Sequence, residues 1–181
     1  MSGRLVVVGG GARSGKSRFA LEAARSLPGR RVFIATAEAG DEEMRQRIER
    51  HRAEREGAFV TIEEPLEVRA RLVDAGASAI VVDCLTLWLS NLLLAGREAP
   101  AILDEVEEAI RAARAIPAST WIVTNEVGMG IVPETRLGRV FRDLAGRANQ
   151  LVAAAADEVY FGTMGLMLRV KPGTAPVGLA R

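Results

Sequence analysis

The residues with the clearest chemical potential lie close to the start of the chain. Eight consecutive residues match the pattern G-x-x-x-x-G-K-[ST], and they are Gly10, Gly11, Ala12, Arg13, Ser14, Gly15, Lys16 and Ser17. Glycines let successive backbone N–H groups curl around phosphate oxygens, while the lysine reaches the β and γ phosphates and the serine hydroxyl binds Mg²⁺. The pattern therefore predicts a P-loop for a nucleoside triphosphate, with Lys16 as a catalytic cation and Ser17 as a metal ligand.

The setting of this motif decides between a ligand site and a glycine-rich turn that binds nothing. An apolar strand is predicted before it, over residues 5–8, and a helix after it, over residues 16–26. The positive end of that helix faces the phosphates in such an arrangement. Lys16 and Lys171 are the only lysines in a chain that otherwise uses arginine, and this position needs a compact ammonium. We therefore favour the ligand site.

Three further polar residues follow predicted strands and are candidates for supporting roles. Asp83 ends an apolar strand, where P-loop proteins commonly hold Mg²⁺ directly or through water, although it could instead cap the helix that follows. Glu126, just past another strand, is an alternative metal ligand or base. Thr36 lies at the tip of the second strand. Ligands of open α/β sheets gather at the carboxyl ends of the strands, so we expect the site at that edge.

The only histidine, His51, lies in a segment crowded with arginines. On a helix, Arg47, His51 and Arg55 share one face at four-residue spacing. One interpretation is a solvated charged surface. The other is a phosphate site, because neighbouring positive charge disfavours the imidazolium and keeps a nitrogen lone pair available for attack on phosphorus.

Apolar runs alternate with segments of helical period around these residues, which predicts an α/β fold with parallel strands and crossover helices. Predicted strands cover residues 5–8, 31–36, 59–62, 79–83, 119–124, 159–161 and 166–171. Predicted helices cover residues 16–26, 41–56, 65–76, 85–95, 100–115 and 135–156. The last two strands should form an antiparallel hairpin across a turn at 162–165. An adaptable loop is predicted at 125–133 and a loose tail over the final ten residues.

Length and charge narrow the class of protein. A chain of 181 residues suits one nucleotide-binding catalytic domain, 1–181, with a sizeable core. Lys and Arg total 24 against 23 Asp and Glu, a net charge of +1, so no global field favours nucleic acid or an anionic membrane. Cys84 is the single cysteine, and no apolar run is long enough to span a membrane. We therefore expect a cytoplasmic enzyme without nucleic acid partners or stable membrane insertion.

Four segments together resemble the bifunctional adenosylcobinamide kinase and adenosylcobinamide-phosphate guanylyltransferase family of cobalamin biosynthesis. They are GGARSGKS at 10–17, FIATA at 33–37, RIERHRAER at 47–55 and TNEVGMGIVPETRLGRVFRDLAGRANQ at 124–150. The last of these is highly specific, and the likeness extends from residue 10 to about residue 171. The chain is therefore identified as similar to this family.

The resemblance implies a two-step reaction. The aminopropanol hydroxyl of adenosylcobinamide is first phosphorylated with ATP or GTP, and GMP is then transferred from a second GTP onto the new phosphate, with release of pyrophosphate. The transfer passes through a guanylylated histidine, which corresponds to His51 here. The resemblance also implies a RecA-like P-loop NTPase fold, dependence on Mg²⁺ and a homotrimer.

The resemblance further implies a set of nucleotide contacts outside the P-loop. They are Ala35, Thr36, Ala37, Arg52, Ala53, Glu54, Arg55, Glu63 and Asp83, with Asp83 also as a metal ligand beside Ser17. The chain departs from the family pattern at Ala37, where a serine is expected, and at Asp83, where glutamate is usual. The segment after His51 also lacks a glycine.

Two other functions compete with this one. A plain small-molecule P-loop kinase would leave His51 as a surface residue and would form no covalent nucleotide. A nucleotide-dependent switch would hydrolyse its nucleotide without a corrinoid, but the chain lacks the Asn-Lys-x-Asp motif of guanine-specific switches. We therefore rank the switch last.

Overall fold

The computed structural model describes residues 3–38, 42, 45–46, 52, 55, 57–173 and 175–179. Most of the helix predicted at 41–56 lies outside these residues. His51, Ala53 and Glu54 are among the positions outside them. The other candidate site residues, including the whole P-loop, lie within the described ranges.

The described residues form eight strands and five helices, which alternate over most of the chain. The strands are β1 (Leu5–Gly10), β2 (Arg31–Ala35), β3 (Val60–Glu63), β4 (Ala79–Asp83), β5 (Ser119–Val123), β6 (Glu158–Thr163), β7 (Leu166–Lys171) and β8 (Ala175–Leu179). The helices are α1 (Lys16–Arg25), α2 (Val68–Asp74), α3 (Leu85–Leu94), α4 (Ala99–Ala115) and α5 (Arg136–Ala155).

All eight strands belong to one sheet, in the order β3-β2-β4-β5-β1-β6-β7-β8. Neighbouring strands from β3 to β6 pair in parallel, and β6, β7 and β8 pair antiparallel. The mostly parallel sheet with flanking helices confirms the α/β prediction. Because β5 lies between β1 and β4, the P-loop strand and the strand ending at Asp83 are not neighbours.

The central strands are buried on both faces, which explains why they are nearly continuous apolar runs. Successive strand residues point to opposite faces of the sheet. Leu5 and Val7 pack in the larger core, together with the apolar sides of α2, α3, α4 and α5. Val6 and Val8 pack in the smaller core, together with α1. The sheet is therefore covered by helices on both faces.

The antiparallel end of the sheet confirms the predicted hairpin and corrects the predicted tail. β6 continues to Thr163, and a two-residue turn follows, with Met164 at φ 51° and Gly165 at φ 78°. Two positive φ values are typical of the tight turn that matches the twist of a hairpin. The prediction of a loose tail over the last ten residues was wrong for β8, which pairs with β7 and adds a third antiparallel strand.

Glu64 connects the end of β3 to the start of α2. Its backbone N–H donates to the carbonyl of Ala35, and its buried carboxylate accepts from the N–H groups of Leu66 and Glu67 and from Arg71 Nε at 2.9 Å. Burial raises the pKa of Glu64, but the hydrogen bonds from Glu67, Arg71 and Leu66 outweigh burial and hold that pKa below its ordinary value. These hydrogen bonds hold residues 64–67 in a turn that precedes the helix, which begins at Val68 rather than at the predicted residue 65.

Replacing Glu64 by glutamine should lower the free energy of unfolding by about 1–2 kcal/mol at pH 7, because the charged partner of Arg71 is lost. The folded-state pKa lies below the unfolded value of about 4.3, so the wild type has this stability above that pH and loses it as the pH falls through the folded pKa. Urea unfolding at pH 7 and pH 3 measures both effects.

The matched control for this measurement is Glu107→Gln, which breaks an exposed ion pair with Arg111 within α4. Such a pair contributes little, so that variant should stay within about 0.5 kcal/mol of the wild type. A Glu64→Gln variant that differs from the wild type equally at both pH values would contradict this account of Glu64.

Candidate active site

The P-loop joins β1 to α1 through a backbone that few residues other than glycine adopt. Gly10 has φ 146°, Arg13 has φ 56° and Gly15 has φ 86°. Gly15 precedes the first helical residue, Lys16, and provides no side chain to cap the helix. The first N–H groups of α1 are therefore available to a ligand, as a phosphate site requires.

Lys16 is buried, and its ammonium lies over the loop. Its Nζ donates to the carbonyl of Gly11 at 2.9 Å. Such a position keeps the charge close to where phosphates bind in loops of this kind. Ser17 is the next residue of α1 and is half-buried.

Two glycines allow the P-loop to lie directly against β6. A Cβ at Gly10 would lie 2.4 Å from the carbonyl oxygen of Gly162 and 2.9 Å from Ser14 Oγ. A Cβ at Gly162 would lie 2.8 Å from Met167 Cε and 2.9 Å from Ser14 Oγ. Ser14 is buried, and its Oγ has no hydrogen-bond partner among the described residues. The loop therefore depends on the absence of side chains at residues 10 and 162.

Thr36 fixes the backbone at the end of β4. It is fully buried, its N–H donates to the carbonyl of Asp83 at 3.1 Å, and its hydroxyl both accepts from Cys84 N at 2.7 Å and donates to Cys84 O at 2.8 Å. The Thr36 carbonyl in turn accepts from the side chain of Asn91 at 2.7 Å. Thr36 thus lies at the predicted edge, and its hydroxyl is engaged by protein.

Cys84 and Thr86 continue this polar network toward β5. Cys84 Sγ lies 3.2 Å from Thr86 Oγ1, which accepts from the side chain of Asn125 at 2.7 Å. Burial raises the pKa of the Cys84 thiol, and the neighbouring Asp83 carboxylate raises it further, so the thiol stays neutral. α3 begins after Cys84 without a side-chain cap, so a capping role of Asp83 gains no support.

Asn125 and Asn149 fix the backbone where β5 ends. Thr124 Oγ1 donates to Asn149 Oδ1 at 2.7 Å, and Asn149 Nδ2 donates to the carbonyl of Asn125 at 3.3 Å. We did not predict roles for Asn91, Asn125 or Asn149 from the sequence. In each case the available signal was an amide side chain among apolar residues, either at the end of a strand or on a largely apolar helix face.

Glu126 lies beside the P-loop. Its backbone N–H donates to the carbonyl of Gly10 at 3.1 Å, and its Oε1 accepts from the N–H of Gly128 at 2.6 Å. The side chain is half-buried. Glu126 and Asp83 therefore follow neighbouring strands, and Glu126 follows the strand that pairs with β1.

The other predicted nucleotide contacts cluster at the ends of β2 and β3. Ala35 ends β2, and the half-buried Ala37 follows Thr36. Glu63 ends β3 and accepts from Arg52 Nη1 at 3.4 Å, with both side chains exposed. The guanidinium of Arg55 is buried and lies 3.8 Å from the centre of the Phe33 ring. These residues share the edge of the sheet that carries the P-loop.

The residues present fit a metal that arrives with a nucleotide. No group of three or more His, Cys, Asp or Glu side chains that could hold a metal occurs among the described residues. Mg²⁺ in nucleotide sites usually keeps water and phosphate ligands and takes only one or two from protein. The oxygens of Ser17 and Asp83 suit such partial coordination.

The segment between β5 and α5, together with the first residues of α5, carries apolar side chains that face solvent, and we call residues 127–137 the apolar loop. Met129 is 82% exposed and Ile131 is 97% exposed, while Val132 and Leu137 are more than half exposed. Two arginines of α5 hold the backbone of this loop. Arg139 donates to the carbonyls of Pro133 and Glu134, and Arg142 donates to the carbonyl of Gly128.

This geometry defines a class of protein. The P-loop follows β1, and an aspartate ends β4, which β5 separates from β1. This is the arrangement of a P-loop nucleotide-binding fold. The chain is similar to the solved ATPase domain of G40P, with 13% identity, a TM-score of 0.53 and coverage of 98% of this chain and 81% of that one. It is likewise similar to a KaiC-like protein of Pyrococcus horikoshii, with 15% identity, a TM-score of 0.54 and coverage of 98% and 80%. At such identities these likenesses show the fold.

Within that class, the chain belongs to the cobinamide kinase / cobinamide phosphate guanyltransferase family, whose model matches residues 6–170. It is 42% identical over 181 residues to the bifunctional adenosylcobalamin biosynthesis protein CobU of Salmonella typhimurium, covering 92% of this chain and 99% of the relative. It is 43% identical over 166 residues to the corresponding protein CobP of Pseudomonas aeruginosa, covering 90% and 94%. The resemblance inferred from the sequence is confirmed.

Replacing Gly10 by alanine should displace the P-loop, because the new Cβ would lie 2.4 Å from the backbone carbonyl oxygen of Gly162 and because a φ of 146° disfavours a side chain. We expect the affinity for ATP and GTP to fall about tenfold, which corresponds to about 1.4 kcal/mol, within the usual range for overpacking. Titration with a fluorescent nucleotide measures this loss.

Gly146→Ala is the control, since a Cβ there meets nothing within 4 Å and lies in α5. It should leave nucleotide affinity unchanged and stabilise the helix by up to about 1 kcal/mol. Unchanged nucleotide affinity in Gly10→Ala would show that the contact between the P-loop and β6 does not matter for binding.

Proposed function

We propose that this protein phosphorylates adenosylcobinamide with ATP or GTP and then transfers GMP from GTP onto the adenosylcobinamide phosphate through a guanylylated His51. The observation that carries the proposal is the P-loop around Lys16 in a chain that belongs to this family over residues 6–170. The names of the relatives, which are bifunctional proteins of adenosylcobalamin biosynthesis, support both activities.

In the kinase step, the acceptor hydroxyl attacks the γ-phosphorus, the bond to the bridging oxygen breaks, and the nucleoside diphosphate leaves. Lys16 and the open N–H groups at the start of α1 bind the phosphates and stabilise their charge. Ser17 and Asp83 are the proposed ligands of Mg²⁺. When bound, Mg²⁺ neutralises charge that develops on the phosphate oxygens.

In the second step, a nitrogen of His51 attacks the α-phosphorus of GTP, and pyrophosphate leaves. A phosphate oxygen of the corrinoid then attacks the same phosphorus, which frees the histidine and forms the new P–O–P link. Support comes from Arg52 and Arg55, which follow this histidine in the sequence. Arg55 is buried against Phe33 of β2, and Arg52 lies 3.4 Å from Glu63, at the edge of the sheet that carries the P-loop.

We propose that the corrinoid docks on the apolar loop. This loop begins just after Glu126, beside the P-loop, and its exposed apolar side chains offer a surface for a large ligand that is partly apolar. Docking there leaves the hydroxyl of the acceptor near the γ-phosphate. Productive transfer requires that the two reacting groups be held close together.

The organisation of the protein is part of the proposal. We propose one catalytic domain over residues 1–181, assembled as a homotrimer and acting in the cytoplasm. A single sheet connects all the described strands, which supports one domain. Among the described residues, no helix has the length and apolar character needed to cross a bilayer.

His51→Ala should abolish covalent labelling by GTP that is radiolabelled on the α-phosphate, because no other histidine is available to carry GMP. The variant should retain the kinase step, which does not use the histidine. The measurement is acid-labile, alkali-stable label on denatured protein, followed by separate assays of the two steps.

Arg45→Ala is the control in the same segment, since Arg45 is exposed and pairs with Glu42. It should be labelled like the wild type. If the wild type binds GTP and performs the kinase step but takes no label, the protein is a plain kinase and the covalent step is excluded.

Ile131→Ser should raise the KM for the corrinoid about tenfold, because a buried isoleucine contributes about 1.5–3 kcal/mol to contact with an apolar surface. The KM for ATP should stay unchanged. Leu94→Ser is the control, as Leu94 is 73% exposed at the far end of α3. Equal effects of both substitutions would argue against docking on the apolar loop.

A further inference from the structure

Glu126 lies closer to the start of the P-loop than the other carboxylates of this edge. Parallel pairing of β1 with β5 continues beyond β5 through two hydrogen bonds, from Thr124 N to Val8 O at 3.0 Å and from Glu126 N to Gly10 O at 3.1 Å. Glu126 is therefore attached by its own backbone to the first residue of the P-loop motif. Asp83 ends β4, which is one strand farther away.

The carboxylate of Glu126 is held by one oxygen only. Oε1 accepts from the N–H of Gly128 at 2.6 Å, and Arg142 fixes this turn by donating to the carbonyl of Gly128 at 2.8 Å. Within the part of the chain that the structure describes, Oε2 accepts no hydrogen bond. The residue is half-buried, so the carboxylate is neither enclosed in the core nor fully exposed to solvent.

Neighbouring carboxylates at this edge have other partners. Glu64 is buried against Arg71 and two backbone N–H groups, and Glu63 accepts from Arg52. Asp83 is the proposed metal ligand. Glu126 therefore stands out among the described residues as a carboxylate beside the P-loop with a free acceptor oxygen.

We infer that Glu126 is the general base of the kinase step, an inference that rests on the proposed function. Oε2 accepts the proton of the acceptor hydroxyl while the hydroxyl oxygen bonds to the γ-phosphorus. The bond between that phosphorus and the bridging oxygen breaks, and the nucleoside diphosphate leaves with the electron pair. The protonated carboxyl then returns its proton to solvent. The Gly128 N–H holds the other oxygen throughout and orients the carboxylate.

The hydrogen bond that orients the Glu126 carboxylate depends on glycine at position 128. A Cβ there would lie 2.8 Å from Glu126 Oε1, so any other residue must push the carboxylate away from its donor. Gly128 is thus a positioning residue, and Gly128→Ala should misplace the base without altering its chemistry. This provides a second variant that tests position separately from identity.

The test uses the full-length protein and assays the two steps apart. Glu126→Gln should lower kcat for phosphorylation of cobinamide by about 10²–10⁴-fold, the usual contribution of a general base. Guanylylation by GTP, and transfer to supplied cobinamide phosphate, should stay within about threefold of the wild type, because no hydroxyl is deprotonated there. Gly128→Ala should lower the kinase kcat to a smaller extent, and Glu126→Asp should recover part of the activity.

Steady-state constants and a control variant separate a base from a structural residue. Glu126→Gln should lower the kinase kcat while the KM values for ATP and for cobinamide stay within about threefold of the wild type, because a base acts on the reacting hydroxyl and not on binding. Glu107→Gln, on the exposed side of α4 and outside the proposed site, should behave as the wild type. A kinase kcat of Glu126→Gln within about threefold of the wild type would overturn the inference, as would full recovery at high Mg²⁺, which would indicate a metal ligand.

Two further outcomes have distinct meanings. An equal loss of both steps in Glu126→Gln would assign the residue to nucleotide binding and overturn its role as a base. Absence of kinase activity in the wild type would instead overturn the proposed function itself. The failure of one proposal is therefore distinguishable from the failure of the other.

Discussion

Parallel pairing across β1, β5 and β4 is the constraint on which the rest of the structure depends. It brings the carboxyl ends of three neighbouring strands to one edge of the sheet. The P-loop, Glu126 and Asp83 therefore lie at the same edge, although they are far apart in the chain. Strand spacing in a sheet is fixed at about 5 Å by backbone hydrogen bonds. The separation of these groups is thus set by the backbone.

The parts of the fold that depend on local patterns were predictable from the sequence. Apolar runs of three to six residues, separated by segments of helical period, indicated the parallel strands and the α/β class, and the P-loop lies where its motif predicts. The C-terminal tail was mispredicted because β8 contains Pro176 and Gly178, which disfavour a strand. Pairing with β7 overrides that local preference, and no local pattern reports a partner strand.

The polar network at the site was much harder to predict. Thr36, Cys84, Thr86 and Asn125 are brought together only by the order of the strands, since residues 36 and 84 are 48 positions apart. The sequence does not specify that β5 lies between β1 and β4, so it left both Asp83 and Glu126 as candidates for the metal. In the observed strand order, Glu126 follows the strand next to β1, whereas Asp83 ends a strand that is one position farther from β1. His51 itself lies outside the described residues, so its predicted role stays a prediction.

The way in which the apolar loop is held has an evolutionary consequence. Arg139 and Arg142 bind main-chain carbonyls, which every residue type possesses, so the conformation does not rely on which side chains stand at 129, 131 and 132. Mutations at these positions would alter the outer surface and leave the framework intact. Selection can therefore reshape this surface through single steps, each of which preserves the fold around the P-loop.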